Sequence, residues 1–167
     1  MSLAIVPGSF DPMTMGHLDI VRKAAARYDE VVVAVMINPA KRYLFDMETR
    51  AEIAKRTVSE LSNVRVICER GMLIDLFDKL GADTVCKGWR NDADYNYEIR
   101  MADWNREHNP RFRTELIRSR GEFSELSSTE VREMLAKGEI PEGLVHTSAL
   151  PLVLQKLDYE KRERHEF

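Results

Sequence analysis

Residues Val31 to Ile37 form an unbroken apolar run, mostly β-branched, that stops at Asn38-Pro39. At seven residues it is far short of the ~20 needed to cross a membrane. It does not alternate apolar with polar, so it is not the half-exposed strand of an open antiparallel sheet. A strand apolar at every position is expected where a parallel sheet is covered on both faces. Parallel neighbours need long crossovers, usually helices, so this one run requires an alternating β and α chain around it.

The rest of the sequence supplies that alternation. Leu3 to Val6 reads as a first strand, and His17 to Tyr28 as a helix with Leu18, Val21, Ala25 and Tyr28 at helical spacing. Met47 to Leu61 reads as a helix capped by Asp46, and Val64 to Cys68 as a third strand. A short helix carries Leu73, Leu76, Phe77 and Leu80 up to Gly81. Asp83 to Cys86 is the fourth strand, Asp92 to His108 a long polar helix, and Thr114 to Ile117 the fifth strand. Ser127-Ser128-Thr129-Glu130 fits a capping box for a helix that Gly138 ends. Ser148 to Tyr159 reads as a last helix with Pro151 in its first turn, and residues 160–167 as a charged, fraying tail. The expectation is an α/β fold, a single domain over residues 1–167 built on a doubly wound five-stranded parallel sheet of Rossmann-like type.

The 167 residues are 44% hydrophobic and 32% charged, as in ordinary globular proteins. Basic residues number 25 against 28 acidic ones, a net charge of −3. That balance offers neither a nucleic-acid footprint nor a polybasic membrane anchor. The N-terminus has no basic segment ahead of an apolar core, so a cytoplasmic location without a signal peptide is expected. Cys68 and Cys86 make no zinc or CxxC pattern and are expected as buried, reduced thiols.

Open parallel sheets bind ligands beyond the carboxyl ends of their strands. Four segments there carry unusual residues. Pro7 to His17 holds Gly8 and Gly16, and places His17 where a helix N-terminus favours an anion. It is neither a Walker A loop nor a GxGxxG fingerprint. Lys41 and Arg42 follow the second strand, and Lys87-Gly88-Trp89-Arg90 forms the loop after the fourth. Ser127 to Thr129 could cradle phosphate. Each alone has a bland reading: a helix start, solvated charge, a cap. Their convergence on one edge of an acidic protein argues for a polyanionic ligand.

Gly8-Ser9-Phe10-Asp11-Pro12 leading to Thr14-Met15-Gly16-His17 resembles the (H/T)xGH signature of the nucleotidyltransferase α/β phosphodiesterase superfamily. Lys87 to Arg90, followed by Asp94-Tyr95-Asn96-Tyr97-Glu98, and then Ser127 to Arg132 resemble motifs of the phosphopantetheine adenylyltransferases, in the same order with matching spacing. The resemblance runs from about Leu3 to Leu157.

That resemblance implies transfer of the adenylyl group of ATP to 4′-phosphopantetheine, giving dephospho-coenzyme A and pyrophosphate by direct attack with no covalent intermediate. It implies catalytic roles for His17, Lys41 and Arg90. It implies ATP contacts from Ser9, Phe10, His17, Gly88, Trp89, Arg90 and Glu98, and from Phe123, Ser124, Glu125, Leu126, Ser127, Ser128 and Thr129. Acceptor contacts fall on Ser9, Lys41, Leu73 and Lys87. Mg²⁺ would enter with ATP, with no metal site of the protein's own. A homohexamer, with Trp104 near its contacts, and feedback by coenzyme A are further implications. Lys87 stands where the family usually has arginine, Trp89 where a smaller aliphatic residue is usual, and Thr129 where serine is commoner. The alternatives are another adenylyl- or cytidylyltransferase, such as one acting on nicotinate mononucleotide, and a non-catalytic nucleotide sensor.

Overall fold

The two most aliphatic segments, β1 (Leu3–Gly8) and β2 (Glu30–Met36), lie side by side within one parallel sheet. The computed structural model describes residues 1–119 and 127–156. With β3 (Val64–Glu69), β4 (Thr84–Trp89) and β5 (Thr114–Arg118), the sheet has five strands in the order β3-β2-β1-β4-β5. Every pairing is parallel. The chain winds outward from β1 to β3, then crosses back to β4, so the direction of winding reverses between β1 and β4. This is the doubly wound sheet that the alternating pattern requires.

Helices α1 (Met15–Arg27), α2 (Met47–Thr57), α3 (Leu73–Leu80), α4 (Asp92–His108) and α5 (Ser128–Ala136) cross between or follow the strands, and residues 150–156 are also helical. Because side chains alternate along a strand, the sheet has two cores. Val6, Val33 and Val35 pack with Leu18 and Val21 of α1, Ala54 of α2 and Val131 of α5. Ile5, Ala34 and Val85 point the other way, onto Leu76 and Phe77 of α3 and onto Phe112. α4 packs differently: only Asn105 is buried, while Tyr95, Tyr97, Ile99, Met101 and Trp104 are exposed.

Four local differences from the sequence expectation have physical causes. α1 begins at Met15, before His17, because Thr14 is its N-cap. α2 ends at Thr57 rather than Leu61, since Val58 leaves helical geometry and its carbonyl accepts the Leu61 N–H in a turn. β4 runs on through Lys87, Gly88 and Trp89, which pair in register with Leu116, Ile117 and Arg118 of β5, so of the supposed loop only Arg90 lies beyond the strand. The last helix starts at 150, not Ser148, whose hydroxyl is committed to the Arg56 carbonyl at 2.8 Å. The rest of that helix through Tyr159, and the tail 160–167, lie outside the described residues.

The two cysteines also part company. Cys86 is buried in β4, whereas Cys68 is exposed, because β3 is the edge strand of the sheet. The expectation of two buried thiols is therefore corrected for Cys68; both are free. Among the described residues no helix is long and apolar enough to cross a membrane.

Candidate active site

β1 and β4 pair over only two positions, Ala4 with Thr84 and Ile5 with Val85. Beyond them, β1 keeps its pairing with β2 as far as Gly8, and β4 keeps its pairing with β5 as far as Trp89. The two central strands therefore splay at their carboxyl ends. Pro7, which has no N–H to donate, falls where the β1–β4 ladder has already stopped. A cleft of about 700 Å³ opens there, with Val6, Pro7 and Gly8 on one wall and Cys86, Lys87 and Gly88 on the other.

Above this gap sits the first turn of α1. Gly88 has no side chain where one would collide with α1: a Cβ there would stand 3.0 Å from Ile20 Cγ1. Phe10 has φ 49°, the left-handed region a bulky residue adopts only under constraint. Its ring lies against bare Gly8, where a Cβ would meet it at 3.0 Å, and its edge meets the His17 ring with centroids 5.1 Å apart.

His17 is set by a capping box. Its backbone N–H donates to Thr14 Oγ1 at 3.3 Å, and its Nδ1 accepts the Thr14 backbone N–H at 3.0 Å. An amide only donates, so Nδ1 carries no proton and the neutral ring holds its hydrogen on Nε2. Burial, and then the Arg90 charge, hold the His17 pKa down at about 4. At neutral pH the cleft is thus lined by an uncharged imidazole whose Nε2–H is a ready donor.

The cations are arranged around it. Lys41 and Arg42 are exposed at the rim, Lys87 and Arg90 stand at the end of β4, and Arg132 comes from α5. Two of them are held by carboxylates of α4: Lys87 Nζ lies 3.6 Å from Glu98, and Arg90 Nε 3.1 Å from Asp94. The N-terminus of α5 contributes Ser127, Ser128 and Thr129 to the lining, so two helix N-termini meet the cleft. Ser127 accepts the Glu130 N–H as N-cap, and the Ser128 hydroxyl donates to the Pro12 carbonyl at 2.8 Å, tying α5 to the first loop.

The cleft thus gathers Ser9, Phe10, His17, Lys41, Lys87, Gly88, Arg90, Glu98, Ser127, Ser128 and Thr129. Trp89 and Leu73 are not among its lining residues. Trp89 is the last residue of β4, packed edge-on against Tyr95 at 4.9 Å with the Arg118 guanidinium 5.2 Å from its ring. Leu73 opens α3 and packs against the core of that face. Phe123, Ser124, Glu125 and Leu126 lie outside the described residues.

Several structural supports escaped the sequence reading. Arg50 is buried, donating to the Ser9 carbonyl at 2.7 Å, the Met36 carbonyl at 3.1 Å and the Phe45 carbonyl at 3.2 Å. Asp11 is buried too and accepts the backbone N–H groups of Leu44 and Phe45 at 2.8 and 3.0 Å. Arg132 donates to the Asp11 carbonyl at 2.9 Å and to Thr129 Oγ1 at 3.1 Å. Tyr43 faces the cleft beside Ser9. The only signal for Arg50 was a charged residue among the apolar positions of α2; nothing local marked Tyr43.

A family model described as cytidylyltransferase-like matches residues 5–134. A phosphopantetheine adenylyltransferase of Clostridium botulinum (strain Hall) is 36% identical over 161 residues, covering 96% of this chain and 98% of the relative. One from Clostridium novyi (strain NT) is 34% identical over 157 residues, covering 94% and 98%. Among solved structures, one from Vibrio parahaemolyticus assigned as a nicotinate-nucleotide adenylyltransferase superposes with a TM-score of 0.74, at 19% identity, over 92% of this chain and 99% of that one. A lipopolysaccharide core biosynthesis protein of Thermoplasma volcanium superposes with a TM-score of 0.53, at 21% identity, over 72% and 97%. At those identities the two structures speak to the fold alone. The matched model and the near-full-length relatives show that the chain belongs to the cytidylyltransferase-like family and, within it, to the phosphopantetheine adenylyltransferases.

Proposed function

We propose that the chain transfers the adenylyl group of ATP to 4′-phosphopantetheine, releasing pyrophosphate and forming dephospho-coenzyme A. The observation that carries this reading is the near-full-length likeness to enzymes of that name, in a chain whose cleft joins a neutral histidine to converging cations. The attacking group is a phosphate monoester, already largely ionised at neutral pH because its second pKa is about 6. The reaction therefore needs no strong general base. Its barrier lies in bringing two polyanions together and in stabilising charge on the α-phosphate and the departing pyrophosphate, which is work for fixed donors and cations.

In this reading the His17 Nε2–H donates to the transferring phosphate without adding a proton to the chemistry. Lys41 and Arg90 offset charge as it moves towards pyrophosphate, and Lys87 holds the acceptor phosphate. Ser9 and the α5 N-terminus with Ser127, Ser128 and Thr129 cradle nucleotide oxygens. Glu98 contributes at the nucleotide once Lys87 has a phosphate to pair with. Attack is direct and in line, with no covalent enzyme intermediate. Mg²⁺ arrives as part of the substrate Mg·ATP and keeps most of its waters, so it needs few protein ligands. Among the described residues no three His, Cys, Asp or Glu side chains gather as a metal site.

The same proposal includes a cytoplasmic location, feedback by coenzyme A, and assembly into a homohexamer. The apolar side chains exposed along α4, from Tyr95 to Trp104, support burial against other copies of the chain. Light scattering coupled to gel filtration reads the number of copies, and a monomer would dismiss the assembly. The activity is tested by pyrophosphate release from Mg·ATP with 4′-phosphopantetheine or nicotinate mononucleotide as acceptor. Release with phosphopantetheine alone is expected. Release with the mononucleotide alone would transfer the mechanism to another acceptor, and ATP binding without release from either would leave a nucleotide sensor.

A further inference from the structure

Tyr43 lines the cleft just after Lys41 and Arg42. Its hydroxyl oxygen accepts the backbone N–H of Asn38 at 2.7 Å and lies 3.3 Å from Ser9 Oγ. The amide can only donate, so it occupies a lone pair of the phenolic oxygen, and the phenolic proton is directed elsewhere. Ser9 Oγ is the partner within reach. The ring itself is pinned, with the Arg50 guanidinium 3.9 Å from its centroid. That same guanidinium donates to the Ser9 carbonyl at 2.7 Å, so the Tyr43 ring and the Ser9 backbone are registered against one buried group.

We infer that Tyr43 is a positioning residue that turns the Ser9 hydroxyl into a hydrogen-bond donor towards a phosphate oxygen in the cleft. The donors run in one direction: Asn38 N–H to the Tyr43 oxygen, Tyr43 O–H to Ser9 Oγ, Ser9 O–H to the anion. With the Tyr43 proton on its oxygen, Ser9 keeps its single hydrogen for the ligand, and each bond polarises the next. Without the phenol, the serine hydroxyl loses the partner that sets its direction. The ligand this suits is a nucleoside triphosphate or pyrophosphate, whose phosphate oxygens are mostly ionised acceptors at neutral pH.

This inference rests on the cleft being a nucleotide-phosphate site, and its test separates the two ideas. Dissociation constants for ATP and for pyrophosphate are measured by titration calorimetry on the intact chain, Tyr43→Phe, Ser9→Ala and the double variant. Phenylalanine keeps the ring over Arg50 and removes only the hydroxyl, and melting temperatures recorded alongside verify that each variant is folded. Tyr43→Phe is expected to weaken ATP about three- to tenfold, the range of one neutral hydrogen bond. Ser9→Ala is expected to weaken it at least as much, and the double variant no further than Ser9→Ala. An equal loss from Tyr43→Phe in both backgrounds would overturn the relay, because Tyr43 would then act only by holding the Lys41 segment in place. No loss in either background would overturn it too. Failure of the unaltered chain to bind ATP or pyrophosphate would remove the nucleotide site itself, and the relay with it.

Discussion

Thr14 gives its backbone N–H to His17 Nδ1 at 3.0 Å, closing the first turn of α1 and fixing the tautomer of the ring together. Because the donor is main chain, no substitution at Thr14 short of proline removes it. The arrangement leaves Nε2–H as the ring's only donor in a cleft lined by Lys41, Lys87 and Arg90.

His17→Ala should therefore lower kcat by about 10²- to 10³-fold, the range seen on deleting one preorganised donor to a developing charge. ATP affinity should change far less, since a group that acts mainly in the transition state contributes little to ground-state binding. Steady-state kinetics with calorimetry separates the two. Comparable losses in both quantities would assign His17 to ground-state binding.

The same ring should give the fold an acid-sensitive component. Its pKa in the folded chain, about 4, lies below the ordinary value of 6.5, so on acidification the unfolded chain takes up the proton first. The stability from a neutral His17 is fully present above pH 6.5 and is lost as pH falls through about 4. Because His17 retains some exposure to solvent, that loss should be on the order of 2 kcal/mol. Urea unfolding of wild type and His17→Ala between pH 7.5 and 4 should give converging curves, and parallel curves would disprove it.

Lys87→Ala should raise the KM for the phosphate-bearing acceptor by about tenfold or more while kcat falls less, because removing a charged hydrogen-bond donor to phosphate loses about 1.5–3 kcal/mol. Initial rates at saturating Mg·ATP test it. An unchanged acceptor KM would show that Lys87 serves the nucleotide or the Glu98 pairing instead.

The thiols should behave in sharp contrast. Burial, followed by the Glu115 carboxylate, pushes the Cys86 thiol up to about 12, whereas Cys68 is exposed on the edge strand. A thiol-specific disulfide reagent should label one cysteine rapidly in the native protein and both after denaturation. Rapid labelling of both in the native state would contradict the packing of β4.

Much of this could be read along the chain because its determinants are local. α4 spans Asp92–His108 as the sequence suggests, since Asn91 caps one end and Arg106 and His108 suit the other. Gly81 ends α3 with φ 64°, the conformation its position demanded. What escaped was long-range. That Lys87 to Trp89 continue a strand is decided by β5, some thirty residues on. Arg50 earns its place through carbonyls of three separate segments, none adjacent to it in sequence. The resemblance implies a nucleotide contact for Trp89, between Lys87 and Arg90; its ring packs with Tyr95 and Arg118, contacts that no local pattern marked. The chemistry of the site followed residue type; its bracing depended on which distant backbones the fold brought together.

The carboxylates of Asp94 and Glu98 give the cleft a tethered competitor. Arg90 and Lys87 are already answered before any ligand arrives, by anions that are attached to α4 and so are present at high effective concentration. A small monoanion gains little by displacing such a partner, because it exchanges one single charge for another and loses its own freedom. A ligand with several phosphates can engage both cations, the helix N-termini and the rim lysine in one event. Selectivity for polyphosphate over the ordinary salts around the protein then follows from exchange, with no need for a wall that keeps smaller ions out.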